Sequence, residues 1–256
     1  MIPGWVSGVG VAVVGLCIGS FLNVCIFRLP RHESIATPRS RCTSCGRTLS
    51  WFDNLPVVSW AALGGRCRTC GARVSWMYPA VEIVTAGVLV GVYLLYGLTP
   101  LGAVRALFAC ALIVLFVTDL QHKILPNVIT LPGIVVGVTC SLFLPPGWRD
   151  SLIGILAGGG VLFVIAEVYY RVRGQEGLGM GDVKLLGMIG AFLGWKLVLL
   201  TLVTASFAGS LAGVALLASG RSMTYALPFG TFLAVGALFS AVWGTPIVDW
   251  YLGFYR

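Results

Sequence analysis

Long apolar runs separated by short polar connections dominate the chain, and this pattern predicts helices that cross a membrane. A helix needs about 20 predominantly apolar residues to span the hydrocarbon core, and most of the runs reach that length. The sixth run is short, and its three glycines favour close packing against neighbouring helices. The pattern predicts an all-α polytopic membrane protein with about eight transmembrane helices. The runs cover residues 5–27, 77–97, 101–118, 126–145, 151–170, 182–194, 196–218 and 227–248.

The amino-acid composition lies far outside the range of soluble globular domains. Hydrophobic residues make up 58% of the chain and charged residues 10%, and the mean hydropathy is +0.95. A net charge of +8 would suggest nucleic acid in a soluble chain, but these basic residues gather in particular connections, as membrane topology requires. We therefore expect membrane lipid around the chain and no nucleic acid among its partners.

The distribution of lysine and arginine predicts which way the helices run. Most of the 17 basic residues lie in or beside the connections that follow the first, third, fifth and seventh runs. Connections rich in Lys and Arg stay on the cytoplasmic side of the membrane. Both termini are therefore expected on the periplasmic side, and the long connection 28–76 is expected in the cytoplasm.

This connection contains two Cys-x-x-Cys pairs, Cys42 with Cys45 and Cys67 with Cys70. Four thiolates suit a tetrahedral site with no open position for water, so we expect a structural Zn²⁺ in a small zinc-ribbon-like loop domain. The alternative is a pair of disulfides or redox dithiols, which the cytoplasmic side disfavours.

The predicted division of the chain into domains is a first transmembrane helix (1–27), the four-cysteine loop domain (28–76) and a multi-helix membrane domain (77–256).

Two acidic residues stand where an apolar run meets a polar connection. Asp119 closes the third run, and Asp182 follows the alternating glycines Gly177, Gly179 and Gly181. A carboxylate deep in a membrane helix costs roughly 2.5–3.5 kcal/mol on insertion scales, so each such residue needs a reason. Glycine has no Cβ, adopts φ > 0 readily and lets backbones approach closely. The loop is therefore expected to admit an extended peptide beside the acid.

We expect Asp119 and Asp182 to form one site at the cytoplasmic membrane face. Two neighbouring carboxyls do not both ionise easily, so such a pair holds a shared proton. One member can take a proton from water while the other protonates the carbonyl or the leaving amine. The pattern thus predicts peptide hydrolysis without a metal or a covalent intermediate. The alternative is two unrelated carboxylates, each paired with a nearby lysine, Lys123 or Lys184.

Short motifs recur along nearly the whole chain. The N-terminal part carries Gly19-Ser20-Phe21-Leu22-Asn23-Val24, Arg28-Leu29-Pro30, the four-cysteine loop with Gly64-Gly65-Arg66-Cys67, and Tyr78-Pro79-Ala80-Val81-Glu82. The C-terminal part carries Asp119, Leu125-Pro126, Gly179-Met180-Gly181-Asp182-Val183-Lys184 and Leu227-Pro228-Phe229-Gly230. Together these motifs resemble those of the bacterial type IV prepilin peptidases, also called leader peptidase/N-methyltransferases, which are aspartic membrane proteases of the GxGD class.

The resemblance implies an enzyme that cuts the basic leader from prepilins and pseudopilins after a glycine, at the cytoplasmic face of the bacterial inner membrane. It further implies methylation of the new N-terminal amine with S-adenosylmethionine. Asp119 and Asp182 would be the protease pair, with Gly179, Gly181 and Lys184 in the loop that meets the substrate. The four-cysteine loop belongs to the methylating form of the family.

The methyl-transfer site rests on the resemblance, because the chain shows no glycine-rich fingerprint of a soluble nucleotide-binding fold. The candidates for it are Asn23, Gly64, Gly65 and Glu82. Each has a structural alternative: helix packing for Asn23, turns for the two glycines, and an ion pair with a loop arginine for Glu82.

Two rival functions remain open. A proton-coupled transporter would also place acids in helices, but it usually has an internal repeat and acids near the membrane midplane, and neither is visible. A zinc-loop assembly factor would explain the cysteines but not the segment around Asp182.

The chain departs from the family at Thr43 and Thr231, where proline is common. Neither residue is expected to touch the proposed chemistry.

Overall fold

Helices make up most of the chain, and no β-strand occurs in the part that the structure describes. The computed structural model describes residues 4–174, 179–219 and 227–254, so Gly177 lies outside the described residues. The predicted all-α polytopic fold is confirmed. The helices are α1 (Gly4–Arg28), α2 (Val58–Ala62), α3 (Met77–Tyr96), α4 (Pro100–His122), α5 (Asn127–Ser141), α6 (Trp148–Ile155), α7 (Val161–Arg173), α8 (Met180–Leu193), α9 (Trp195–Ala218) and α10 (Phe229–Gly253).

Six segments within the described residues are long and apolar enough to cross a membrane. They are α1, α3, α4, α9, α10 and the continuous stretch 148–173, in which α6 passes through a π-helical turn into α7. The spans expected at 126–145 and 182–194 are shorter helices, α5 with 15 residues and α8 with 14. At 1.5 Å per residue, α8 is about 21 Å long, against about 30 Å for the hydrocarbon core.

The short helix α8 is enclosed by other helices. Every residue from Leu185 to Leu193 is buried, and α5, α6, α9 and α10 all pack against it. A helix surrounded by protein need not match the thickness of the bilayer. Hydropathy shows that such a segment is apolar, but it does not distinguish lipid from protein as the apolar neighbour.

The chain divides into two compact units, residues 1–114 and 115–256, with the boundary inside α4. The first unit contains α1, the four-cysteine loop and α3, and the second contains α5 to α10. The three-part division at 27/28 and 76/77 follows the chemistry of the segments and stays a prediction.

In the first unit, α1 and α3 meet through glycines on α1. A Cβ on Gly19 would lie 2.6 Å from the Cα of Glu82, and one on Gly15 would lie 2.7 Å from the Cα of Ala86. Only residues without a side chain let two helix backbones approach this closely. The contact places Asn23, one turn beyond Gly19, near the end of α3 that carries Glu82.

In the second unit, α8 is held by an equally close contact with α6. A Cβ on either Gly154 or Gly190 would overlap the backbone carbonyl of the other. This contact holds α8 against α6. Because Asp182 lies in the first turn of α8, the position of the helix also sets the position of the Asp182 backbone.

Candidate active site and metal centre

Asp119 is buried in the last turn of α4, with 5% of its surface exposed. The helix runs on to His122, so Asp119 lies within its last turn and not beyond the end of the helix at 118. Its Oδ2 atom accepts two hydrogen bonds from Thr231, one from the backbone N–H at 2.7 Å and one from the hydroxyl at 3.0 Å. The expectation that Thr231 would not touch the proposed chemistry was wrong.

Asp182 is half-buried and lies just after Gly179, the residue that precedes α8. Gly179 has a φ of −70°, which any residue can adopt. The left-handed backbone expected of the glycines is therefore not used at this position. What the glycines provide is space: a Cβ on Gly179 would lie 3.3 Å from Oδ2 of Asp182, and one on Gly181 would lie 3.1 Å from Leu125.

Leu125 links the surroundings of the two acids. Its side chain is adjacent to Gly181, next to Asp182, and also to Gly230, where a Cβ would lie 2.8 Å from Leu125 Cδ1 and 3.0 Å from Asp119 Oδ2. The two carboxylates are close enough for the charge of Asp119 to act on Asp182. The second unit therefore brings together the two acids that the sequence predicted as a pair.

Lys184 is directed away from this pair. Its Nζ donates a hydrogen bond to Oδ1 of Asn127 on α5 at 2.9 Å, so the alternative in which it pairs with Asp182 does not hold. This bond joins the starts of α5 and α8, and Lys184 as a contact for the substrate stays a prediction.

The four cysteines of the loop form one cluster. The Sγ atoms of Cys42, Cys45, Cys67 and Cys70 all lie within 4.8 Å of one another, and those of Cys42 and Cys70 are 3.9 Å apart. A disulfide would need about 2.05 Å. A tetrahedral zinc ion with bonds of about 2.3 Å sets sulfur atoms about 3.8 Å apart, so the donor set fits zinc.

Backbone amides favour the thiolate form of two of these cysteines, while burial and hydrogen bonds to the other cysteines raise the pKa of Cys70 to about 11. The N–H groups of Cys70 and Thr69 lower the pKa of Cys67 to about 6, and those of Cys45 and Ser44 lower the pKa of Cys42. The glycine after each pair has a positive φ, 71° at Gly46 and 68° at Gly71. This left-handed conformation favours glycine, and the N–H of each glycine closes the turn on the carbonyl of the pair's first cysteine.

Asp53 connects the two halves of the cysteine loop, a role that the sequence did not reveal. It accepts a hydrogen bond from Nε of Arg68 at 2.8 Å and lies 3.8 Å from the guanidinium of Arg47. The hydrogen bond from Arg68 holds the pKa of Asp53 below its usual value. The ionised carboxylate of Asp53 thus joins Arg68, within the second Cys-x-x-Cys pair, to Arg47, which follows the first pair.

A cavity of about 710 Å³ lies in the first unit, lined by the cysteine loop and by the facing ends of α1 and α3. Asn23 and Glu82 both line it. Asn23 donates a hydrogen bond to the carbonyl of Tyr78 at 3.0 Å. Glu82, 7% exposed, accepts one at 2.7 Å from the backbone N–H of Val57. No ion pair of Glu82 occurs among the described residues, whereas the bond from Asn23 joins α1 to α3 and agrees with the helix-packing alternative.

Val57 is a strained residue beside this cavity. Its φ is 59°, a conformation that β-branched residues adopt only when the surroundings impose it. In this conformation the backbone N–H of Val57 donates its hydrogen bond to the carboxylate of Glu82. The other two candidates, Gly64 and Gly65, do not line the cavity. They have φ values of 58° and 67°, and Gly65 lies against the Trp60 ring.

The fold and the two clusters define a multi-pass membrane protein with an acid pair in one unit and a four-cysteine cluster in the other. Residues 13–96 match the family model described as Bacterial Peptidase A24 N-terminal domain. Residues 106–214 match the model described as Type IV leader peptidase family. The chain belongs to this family, as its motifs suggested. No solved structure gives a significant match.

Curated relatives carry the name prepilin leader peptidase/N-methyltransferase. The protein of Myxococcus xanthus is 42% identical over 214 residues, which cover 82% of this chain and 63% of that protein. The protein of Pseudomonas putida is 36% identical over 92% of this chain and 90% of its own length. That of Pseudomonas aeruginosa is 32% identical over 94% and 92%. These likenesses do not favour the transporter or assembly-factor alternatives.

Proposed function

We propose that the protein removes the basic leader of type IV prepilins and pseudopilins after a glycine and then methylates the new N-terminal amine with S-adenosylmethionine. The carrying observation is the juxtaposition of Asp119 and Asp182 in one unit of a chain that belongs to the leader peptidase family. The orientation belongs to the same proposal: inner membrane, termini periplasmic, and the cysteine loop and acid pair at the cytoplasmic face, as the arginine-rich connection 28–76 favours.

The acid pair supports hydrolysis by water. One carboxylate removes a proton from water as its oxygen attacks the carbonyl carbon, and the other carboxyl gives its proton to the carbonyl oxygen. Collapse of the tetrahedral intermediate then breaks the C–N bond, and the amine leaves with the proton taken from water. With no Cβ at Gly179, no side chain from that position stands beside Oδ2 of Asp182, which supports the approach of an extended substrate with glycine before the cut.

The cavity of the first unit is our candidate for the methyl-transfer site. Its volume lies within the range of 300–1,000 Å³ typical of small-molecule sites. Glu82 offers a carboxylate to a cationic group, and Asn23 offers an amide beside it. S-adenosylmethionine supplies a sulfonium-activated methyl group, and its cation fits the charge of Glu82. The zinc centre would order the loop that walls this cavity.

Purified protein in detergent, incubated with a prepilin, tests both activities. Leader loss and N-terminal methylation are followed by mass spectrometry for the wild type, Asp119→Asn and Asp182→Asn, and methylation is also measured on pre-cleaved pilin. We expect both variants to lose cleavage and to keep methylation of pre-cleaved substrate. Asp249→Asn, at an exposed acid of α10, is the matched control and should cleave normally. Normal cleavage by both Asp119→Asn and Asp182→Asn would remove the peptidase proposal.

A further inference from the structure

Thr231, at the start of α10, is the residue that distinguishes the two acids from each other. We propose that Thr231 is a positioning residue that fixes Asp119 as the base of the pair and leaves the shared proton on Asp182. The inference rests on the peptidase function proposed above. It assigns the two roles and adds a residue, 112 positions from Asp119 in sequence, that the motifs do not mark.

The two hydrogen bonds to Asp119 have a defined direction. A backbone N–H can only donate, and the Thr231 hydroxyl donates to the same oxygen, Oδ2. Both lone pairs of Oδ2 are therefore occupied, and a proton on that oxygen would displace one bond. Donors of this kind favour the ionised form of a carboxyl group. Oδ1 remains as the oxygen that can take a proton from water.

Asp182 lacks such donors in the described ranges 4–174, 179–219 and 227–254, where no group donates a hydrogen bond to its carboxyl. Its backbone N–H bonds to the carbonyl of Gly179. The helix dipole does not separate the two acids, because Asp182 lies in the first turn of α8 and Asp119 faces the first turn of α10. The two hydrogen bonds from Thr231 do distinguish the acids, because only Asp119 receives them. The negative charge of Asp119 further favours a proton on Asp182.

The resulting step is balanced. Asp119 takes one proton from water, the water oxygen forms a bond to the carbonyl carbon, and the Asp182 proton moves to the carbonyl oxygen. As the C–N bond breaks, Asp119 returns its proton to the leaving amine, and Asp182 recovers one from the hydroxyl group of the intermediate. Both acids end as they began.

Three substitutions at Thr231 separate the hydroxyl, the N–H and the packing. Thr231→Val keeps the shape and the N–H but removes the hydroxyl, Thr231→Ser keeps both donors, and Thr231→Pro removes both. Proline is compatible with the first turn of a helix, so Thr231→Pro should keep the fold. We expect Thr231→Val to lower kcat for prepilin cleavage roughly tenfold with KM unchanged, Thr231→Ser to stay within about twofold, and Thr231→Pro to fall further.

A pH profile distinguishes positioning from packing. Losing a donor to an ionised base should move the acidic limb of the kcat profile to higher pH in Thr231→Val but not in Thr231→Ser. Lys123 and Asp182, the charged groups that act on Asp119 among the described residues, are the same in all variants. Thermal unfolding in detergent checks the fold, and Thr231→Ala replaces Thr231→Val if the latter is not recovered at wild-type levels.

Each outcome decides the proposal. A slower Thr231→Val with a moved acidic limb and a restored Thr231→Ser supports it. Wild-type kinetics of Thr231→Val, or equal losses in Val and Ser with an unmoved limb, overturn it while the peptidase function stands. Normal cleavage by both Asp119→Asn and Asp182→Asn overturns the peptidase function itself, and the role of Thr231 with it.

Discussion

Gly230 leaves the space in which Asp119 and Leu125 sit, so Gly230→Ala is the most direct perturbation of the acid pair. The new methyl group would lie 2.8 Å from Leu125 Cδ1 and 3.0 Å from Asp119 Oδ2. Carbon atoms prefer separations of about 3.5–4.0 Å, so Leu125 must move by roughly 0.7 Å, which its flexible end can do. Oδ2 is held by two bonds to Thr231 and moves only by weakening them.

The expected loss of activity follows from the size of that shift. A misplacement of 1 Å at a reacting group costs about 100-fold in rate. A shift of about 0.3–0.5 Å in Asp119 should therefore slow prepilin cleavage about 4- to 10-fold. Stability should change less, because the crowding cost of about 1–3 kcal/mol is partly offset by about 0.5–1 kcal/mol of helix propensity gained from glycine to alanine.

The assay compares kcat and the unfolding temperature of Gly230→Ala with those of Gly253→Ala. Gly253 ends the same helix, and a methyl group added there would have nothing within 4 Å, so its variant should match the wild type. The double variant Gly230→Ala/Leu125→Ala relieves the carbon contact but not the contact with Oδ2. Full recovery in the double variant, or activity of Gly230→Ala within about twofold of wild type, would refute the reasoning.

Three further results are expected. Gly181→Val, whose side chain would press on Leu125, should reduce cleavage and leave membrane insertion intact; wild-type cleavage would count against a substrate passage there. A zinc chelator, or Cys67→Ser, should remove about one zinc per chain by elemental analysis and abolish methylation while cleavage persists; loss of cleavage alone would contradict the assignment. Glu82→Gln keeps an acceptor for Val57 but loses its charge, so methylation of pre-cleaved pilin should fall at least tenfold, and an unchanged rate would exclude Glu82 from the cofactor site.

The acid pair could be predicted from the sequence because each acid stands where an apolar run meets a polar connection, and a carboxylate near a membrane helix needs a reason. The four-cysteine cluster could be predicted because the Cys-x-x-Cys spacing itself encodes a turn. Thr231 could not be predicted, since a threonine in an apolar helix is ordinary and its contact with Asp119 exists only in the folded second unit. The hydrogen bond from Val57 to Glu82 could not be predicted for a similar reason, because its donor is a backbone N–H that every residue except proline possesses.

Glycine serves two different physical purposes in the two sites, and this explains why the loop before Asp182 was misjudged. In the cysteine loop, Gly46 and Gly71 have positive φ values, so any other residue there would be strained whatever the space around it. At the acid pair, Gly181 and Gly230 lie within helix α8 or α10, and what they lack is a Cβ that would strike Leu125. A glycine in a sequence looks the same in both cases. Only the packing of Leu125 between two helix starts shows that the motif near Asp182 acts through volume.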